Sequence, residues 1–310
     1  MSAEARTQDE IRVGGRRVSL SNPDKELFPD DGITKAELVD YYRSVARPML
    51  THLKDRPLVM ERYPDGYRGR SFFHKDVPDY FPDWIRTVEV PKEGGRLTMA
   101  VCDDTATLVY LANQACITPH PWLSPANCLD CPDRLVFDLD PPEGQEDGFE
   151  AVRWCARTLG DLLTELGLRP ALMTTGSRGM HLLVLLDRRT DFDTARHFAR
   201  RVADLLAARH SDRLTTEPRK NKRRGRLYLD TQRNAYAQTS VAPYAVRARP
   251  HAPIATPLDW DELDDPDLGP RRWTLRTLTE RLDKYSDPWK GLSRCRRSLR
   301  TAQRRLDDLT

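Results

Sequence analysis
Arg134-Leu-Val-Phe-Asp138-Leu-Asp140-Pro-Pro142 is the stretch on which the reading of the whole chain turns. Apolar and β-branched residues lead into Asp-Leu-Asp and stop at a proline pair, the pattern of a buried strand ending at a sheet edge. Side chains alternate along a strand, so Asp138 and Asp140 share one face while Phe137 and Leu139 point into the core. Two neighbouring carboxylates repel unless a cation lies between them. Such a pair suits divalent ions about 3.5–4 Å apart, as used in phosphoryl or nucleotidyl transfer. Two solvated aspartates at a strand end would show the same spacing, so the choice rests on the rest of the chain.

The 310 residues are enough for one large domain or two modest ones. No run of eighteen apolar residues occurs, and Met1-Ser-Ala-Glu-Ala-Arg-Thr-Gln-Asp-Glu10 has no apolar signal region. The expectation is a cytoplasmic protein with no membrane partner. Six cysteines (Cys102, Cys116, Cys128, Cys131, Cys155, Cys295) scattered along this length are expected to be thiols without a disulfide framework. Cys128-Leu-Asp-Cys131 lacks the second pair that a structural zinc site needs. The charge is uneven: from Arg271 to Thr310 twelve Lys/Arg oppose five Asp/Glu, or +7, which leaves −4 for the first 270 residues of a chain carrying +3. That basic arm suits a polyanionic partner or a solvated helix face.

Residues 1 to about 10 read as disordered, and Val13-Gly-Gly15-Arg-Arg-Val-Ser-Leu20 as a hairpin-like start before the turn Asn22-Pro-Asp-Lys25. Thr34-Lys-Ala-Glu37 is a capping box that opens a helix through about Arg47, placing Lys25 and Lys35 beside a loop and a helix start. In Ser71-Phe72-Phe73-His74-Lys75, adjacent phenylalanines beside a lysine fit base stacking or a core. A buried helix over 103–113 should deliver Thr118-Pro-His120-Pro-Trp122 to a loop. Helical periodicity spans 149–166 up to Gly167. Strands follow at Ala171-Leu-Met-Thr-Thr175 and from His181 to Leu186, joined by Gly176-Ser177-Arg178-Gly179. This turn, with backbone N–H groups, a hydroxyl and a guanidinium, could cradle phosphate or simply close a hairpin. An amphipathic helix over 192–209 should cover the sheet. A solvated basic run over 219–226 precedes Leu227-Tyr-Leu-Asp230, a second strand ending in aspartate.

Taken together these pieces resemble the archaeo-eukaryotic primase superfamily, specifically the polymerase domain of bacterial ligase D and its stand-alone relatives. The likeness runs from about Ser21 to Trp289. It rests on Asn22-Pro-Asp-Lys25, Phe72-Phe73-His-Lys75, Leu111-Ala-Asn-Gln114, His120-Pro-Trp122, the acidic strand, Thr175-Gly-Ser-Arg-Gly-Met-His181, Asp230 and Ala242-Pro-Tyr-Ala-Val-Arg247-Ala-Arg249-Pro250. The resemblance implies an α/β (α+β) primase-polymerase fold, with a central mixed, RRM-like catalytic sheet flanked by helices and an N-terminal α/β module. A single domain over 1–310 is expected, with a module at 11–118, a core at 119–265 and a basic helical arm at 271–310.

By the same resemblance Asp138, Asp140 and Asp230 hold two Mg²⁺ or Mn²⁺ ions. Triphosphate and sugar lie near His120, Thr175, Arg178, His181, Arg223, Arg247 and Arg249, and strand-like alternation with Val246 and Ala248 should turn both Arg247 and Arg249 into the cleft. Lys25 and Lys35 take a 5′-phosphate across a gap, and Phe72 and Phe73, beside Lys75, pack against template bases. An all-carboxylate site favours hard ions over zinc. The implied activity is template-dependent addition of nucleotides, ribonucleotides favoured, at gapped or broken DNA. Its implied partners are nucleoside triphosphates, a separate DNA ligase and a Ku-like protein on the bacterial nucleoid.

Three features depart from the family pattern. Glu61 stands where relatives often carry lysine, Gln232-Arg233 lies one register off a usual Gln-Asn pair, and no Lys-x-Asp-Gly ligase motif occurs in these residues, so the chain is not expected to seal a nick. Two rival readings remain at this point. A haloacid-dehalogenase-type phosphatase also ends a hydrophobic strand in Asp-x-Asp, though here Pro142 replaces the usual Thr or Val. A DNA-end binding module with a decayed site would have little need of all three carboxylates.

Overall fold
The computed structural model describes residues 8–142, 148–284 and 286–309. Two compact units interleave along the sequence: Met1–Pro121, Val241–Ile254 and Trp273–Tyr285 form the first, and Trp122–Ser240, Ala255–Arg272 and Ser286–Thr310 the second. No helix among the described residues is long and apolar enough to cross a membrane.

The first unit opens with a hairpin of β1 (Gln8–Val13) and β2 (Arg16–Ser21), turned by Gly14 and Gly15, both at positive φ. The disorder expected over the first ten residues falls on residues 1–7, outside the described residues; from Gln8 the chain is strand. A bulged pair, β3 (Glu26–Phe28) and β4 (Ile33–Thr34), leads into α1 (Lys35–Ser44). The capping box is present as expected, the Thr34 side chain accepting from Glu37 N–H while Glu37 accepts from Thr34 N–H. The helix stops at Val45 and restarts as α2 (Ala46–Leu53).

Next come β5 (Leu58–Arg62), β6 (Phe72–His74), the hairpin β7 (Thr87–Lys92) with β8 (Gly95–Ala100), the buried α3 (Thr105–Asn113) and β9 (Cys116–Pro121). The loop expected around His120 is therefore a strand. It tolerates Pro119 and Pro121 because it lies at the edge of the sheet β6-β5-β9, where one side of the backbone needs no ladder donors.

The second unit is built on the acidic stretch, which forms β10 (Arg134–Asp140). Around it stand α4 (Gly148–Glu165), β11 (Pro170–Thr174), β12 (Met180–Leu185), α5 (Phe192–Arg209), β13 (Leu214–Thr215), β14 (Leu227–Asp230) and β15 (Pro257–Leu258). The chain then contributes α6 (Leu278–Lys284) to the first unit and ends with α7 (Leu299–Asp307) in the second. The six strands run in the order β13-β14-β10-β12-β11-β15, antiparallel except for β13 with β14, which makes the mixed central sheet expected for this α/β fold.

Leu135, Phe137 and Leu139 share a core with Val152, Leu159 and Leu163 of α4, Phe198 and Val202 of α5, and Leu299 and Leu306 of α7. Burial of that apolar face fixes the register, because a slip of one residue would send the aspartates into the core and Phe137 into water.

The expectation that every cysteine is a thiol is corrected by a disulfide between Cys128 and Cys131. Successive turns, with Cys128 N–H donating to Pro125 O and Cys131 N–H to Cys128 O, bring their Cα atoms to 5.3 Å. Cys102, Cys116, Cys155 and Cys295 are free.

The pairing of β10 with β14 covers only residues 138–140 of β10, so Val136 has no strand neighbour on that side. Asn234 takes the strand's place: Val136 N–H donates to its Oδ1 at 2.8 Å, and its Nδ2 donates to Val136 O at 2.7 Å and to Thr231 O at 3.0 Å. With Asn234 only 1% exposed, Asn234→Ala should leave two buried backbone groups unpaired and lower unfolding free energy by about 1–3 kcal/mol in chemical denaturation.

Candidate active site
The antiparallel register lays a polar row across three neighbouring strands. Asp230 of β14 stands opposite Asp138 of β10, and Asp138 stands opposite His181 of β12. One step along, Asp140 faces Tyr228. Period-2 alternation puts Asp138 with Asp140, and Asp230 with Tyr228, on the side of the sheet away from the Phe137 core.

Arginines and hydrogen bonds hold these carboxylates. Asp140 accepts from Arg178 Nη2 at 2.7 Å and from Arg223 Nη1 at 2.9 Å. Asp138 lies 3.5 Å from His181 Nε2 and 3.9 Å from Arg233 Nε. Asp230 accepts from Gln232 N–H at 2.7 Å and from the Tyr228 hydroxyl at 3.3 Å. Burial, reinforced by the Asp138 charge, raises the Asp230 carboxyl above its ordinary range despite that N–H bond and the nearby Arg233. Arg223 is itself pinned: its Nε donates to Glu217 O, its Nη2 to Pro218 O, and its guanidinium lies 4.0 Å from the Tyr228 ring centroid.

The glycine-flanked turn after β11 carries Arg178 to this place. Ser177 N–H, one of the amides expected to be available for phosphate, donates to Thr175 Oγ1, and Thr175 Oγ1 donates to Gly179 O. Gly179 packs on the end of β10 so closely that a Cβ would come within 1.9 Å of Leu139 O. No larger residue fits there without moving the turn and Arg178 with it.

All donors at Asp138, Asp140 and Asp230 are carboxylate oxygens, which suits a hard divalent ion, and the like-charge pressure on Asp230 is what a cation would relieve. Among the described residues no three His, Cys, Asp or Glu side chains stand converged in a ready-made ion site. The Asp140 carboxylate is turned on to its two arginines, so any ion taken here competes with them.

The other candidates belong to the first unit. His120 on β9 lies 2.9 Å from Glu61 of β5 and packs edge-on against Phe73 at 5.8 Å between ring centroids. The expected side-by-side phenylalanine pair is split by the strand. In β6, Phe73 pairs with Glu61 and Phe72 with Arg62, so the two rings face opposite sides. Phe72 packs instead on His74 and under the Arg62 guanidinium. Both rings are exposed, as is Lys75 beyond them.

The strand-like alternation expected at Arg247 and Arg249 is replaced by a turn. Arg247 N–H donates to Pro253 O, and Arg249 N–H to Arg247 O. Arg247 is half-buried and Arg249 exposed. Lys25 and Lys35 do come together, Lys35 N–H donating to Lys25 O. Lys35 Nζ is buried, donating to Ser21 O at 2.6 Å, and burial with the Lys25 and Arg62 charges lowers it to about 8.

Tyr228, Arg233 and Asn234 are not among the site residues expected from the sequence. Tyr228 was open to detection, since it lies two residues before Asp230 and therefore on its face. Arg233 and Asn234 sit on a short 3-10 turn whose direction no periodicity encodes.

A mixed α/β fold sets three aspartates among arginines at the ends of adjacent strands, an arrangement suited to nucleotidyl transfer. The family model for the LigD primase-polymerase domain matches residues 34–289, and the chain belongs to that family. It is 36% identical over 275 residues to the multifunctional non-homologous end joining protein LigD of Mycolicibacterium smegmatis, covering 87% of this chain and 35% of that one. Against the bifunctional non-homologous end joining protein LigD of Bacillus subtilis it is 30% identical over 274 residues, covering 88% of this chain and 44% of that one. The chain thus spans about a third to under half of the length of these relatives. The polymerase domain of Mycobacterium tuberculosis Ligase D, solved in complex with DNA, superposes with a TM-score of 0.84 at 33% identity, covering 91% of this chain and 99% of that one.

The raised Asp230 carboxyl gives a pH test. Folding favours its protonated form, so the associated stability is present below the ordinary carboxylate range and is lost as pH rises through the folded-state value. With divalent ions chelated, Asp230→Asn should melt at a higher temperature than wild type near neutrality, and the two should converge below about pH 4. Thermal denaturation across that range measures it.

Proposed function
We propose that this chain adds nucleotides to a 3′-hydroxyl under the direction of a template strand, at gaps or broken ends of DNA, and favours ribonucleotides. The observation that carries this reading is the register of Asp230 opposite Asp138, with Asp140 one step along the same face between Arg178 and Arg223.

Asp138, Asp140 and Asp230 would hold two Mg²⁺ or Mn²⁺ ions. Such ions lower the pKa of an attacking hydroxyl and neutralise charge on the leaving pyrophosphate. Arg178 and Arg223, which lie on Asp140, offer fork-shaped donors that match phosphate oxygens as well as carboxylate. With the carboxylates turned to such ions, these guanidiniums would be available to the triphosphate. His181, 7% exposed at its side chain, keeps Asp138 oriented from the neighbouring strand. Thr175, His120, Arg247 and Arg249 would complete contacts to sugar and phosphates, and Phe72, Phe73 and Lys75 contacts to the template.

The relatives' names place them in non-homologous end joining. The same setting is proposed here, with a separate ligase and a Ku-like protein acting on the nucleoid. Asp138→Ala and Asp140→Ala should each abolish incorporation on a gapped template while leaving DNA affinity within a few-fold of wild type, since basic residues elsewhere hold the DNA. Near-normal primer extension by either variant, with Mg²⁺ or with Mn²⁺, would overturn the assignment. Running ribo- and deoxynucleotides side by side tests the sugar preference.

Lys25 and Lys35 give the reading a second test. Lys35 lies at the start of α1, where backbone N–H groups favour an anion. A lysine lowered to about 8 is charged below that pH and loses its proton above it. A gap bearing a 5′-phosphate should therefore be filled better than a 5′-hydroxyl gap below pH 8. The advantage should shrink as pH is raised further and should fade in Lys25→Ala. Gap-filling rates on the two substrates measure it.

A further inference from the structure
Glu61 is the residue that the proposed chemistry leaves without a task. It stands on the central strand of β6-β5-β9, with Phe73 opposite on one side and Thr118 on the other. Its carboxylate lies 2.9 Å from His120 Nε2 through Oε2 and accepts from the Tyr63 hydroxyl at 2.6 Å through Oε1. The side chains of Glu61 and His120 are only 14% and 13% exposed. Burial by itself would raise the Glu61 carboxyl, yet the hydrogen bonds from His120 and Tyr63, backed by the Arg247 charge, hold it below its ordinary range. An ionised carboxylate only accepts hydrogen bonds, so the hydrogen between the two side chains belongs to His120 Nε2.

His120 is also confined on its other sides. Pro119 and Pro121 restrict the backbone around it. Thr118 Oγ1, donating to Val246 O, ties down the same strand. The Phe73 ring packs on the imidazole edge.

We propose that Glu61 is a positioning residue, fixing the hydrogen on His120 Nε2 and keeping the imidazole doubly protonated through neutral pH, so that it presents a cation to a nucleotide phosphate. This rests on the reading that His120 contacts the nucleotide. A buried carboxylate at hydrogen-bond distance favours imidazolium by about one to three pH units. Tyr63, Tyr42 and Cys116 do not cancel this. Tyr63 is raised to about 12 and Tyr42 well above its ordinary value, both chiefly by burial, and Cys116 is raised to about 12 by burial, so all three stay neutral. Arg247 is a cation acting on Glu61. It disfavours a second positive charge, but it also secures the Glu61 anion that lies in direct contact with the ring.

Nitrogen-15 NMR of His120 against pH, in wild type, Glu61→Gln and Tyr63→Phe, reads the coupling directly. The protonation midpoint should fall by about one unit or more in Glu61→Gln, and by less in Tyr63→Phe, which keeps the carboxylate but removes one of its donors. Binding of a non-hydrolysable ribonucleoside triphosphate analogue with Mg²⁺ should be similar for wild type and Glu61→Gln at pH 6, and about tenfold weaker for Glu61→Gln at pH 8, where a histidine of ordinary pKa is neutral. An equal midpoint in wild type and both variants would overturn the proposal. If His120→Ala binds the analogue as wild type does, the nucleotide role of His120 fails, and the NMR midpoint decides separately whether Glu61 sets the charge of the ring.

Discussion
Register in the central sheet is the constraint on which the rest depends. Asp230 and Asp138 are held directly opposite each other on β14 and β10, a placement that two like charges would not choose. It persists because the alternate residues Phe137, Leu139 and Leu229 are buried with α4 and α5, and a slip would exchange the two sets. Apolar burial thus sustains an electrostatically unfavourable arrangement, and burial together with the Asp138 charge raises the Asp230 carboxyl above its ordinary range.

The surroundings of the acidic row have the same logic on a smaller scale. Asn234 substitutes its amide for a missing length of strand beside Val136, which lets β14 stop where Asp230 is needed. Gly179 allows the β11–β12 turn to press against Leu139, which brings Arg178 on to Asp140. Each device costs some generality of sequence, and each serves to place a polar group at the end of β10.

In the first unit an edge strand does the corresponding work. β9 can carry proline on both sides of His120 because it is an edge strand of the sheet β6-β5-β9, with β5 as its ladder partner. The same pleat that aligns Val59 and Glu61 with His120 sends Phe72 away from Phe73. Adjacent aromatics that look like a pair in the sequence therefore serve two surfaces, one lined by His120 and Glu61, the other by Arg62 and His74.

What the sequence determined by itself is whatever period and local chemistry encode. The acidic strand over 134–140, the capping box at Thr34, the amphipathic helix over 192–209 and the strand 227–230 all follow from spacing, as does the shared face of Asp138 and Asp140. The likeness to ligase D polymerase domains was carried by short motifs in order, and the family match over 34–289 agrees with it. Tertiary structure decided what depends on neighbours distant in the chain: that His120 lies on an edge strand with Glu61 against it, and that Arg223 and Arg178 both reach Asp140. Arg247 and Arg249 read as alternating strand residues, but the backbone turns there, because Val246 bridges to Ile254 and the residues between must reverse direction. Side-chain alternation is a property of one strand and can be read from one stretch. Which strands lie side by side is set by burial summed over the whole chain, and no single stretch contains it.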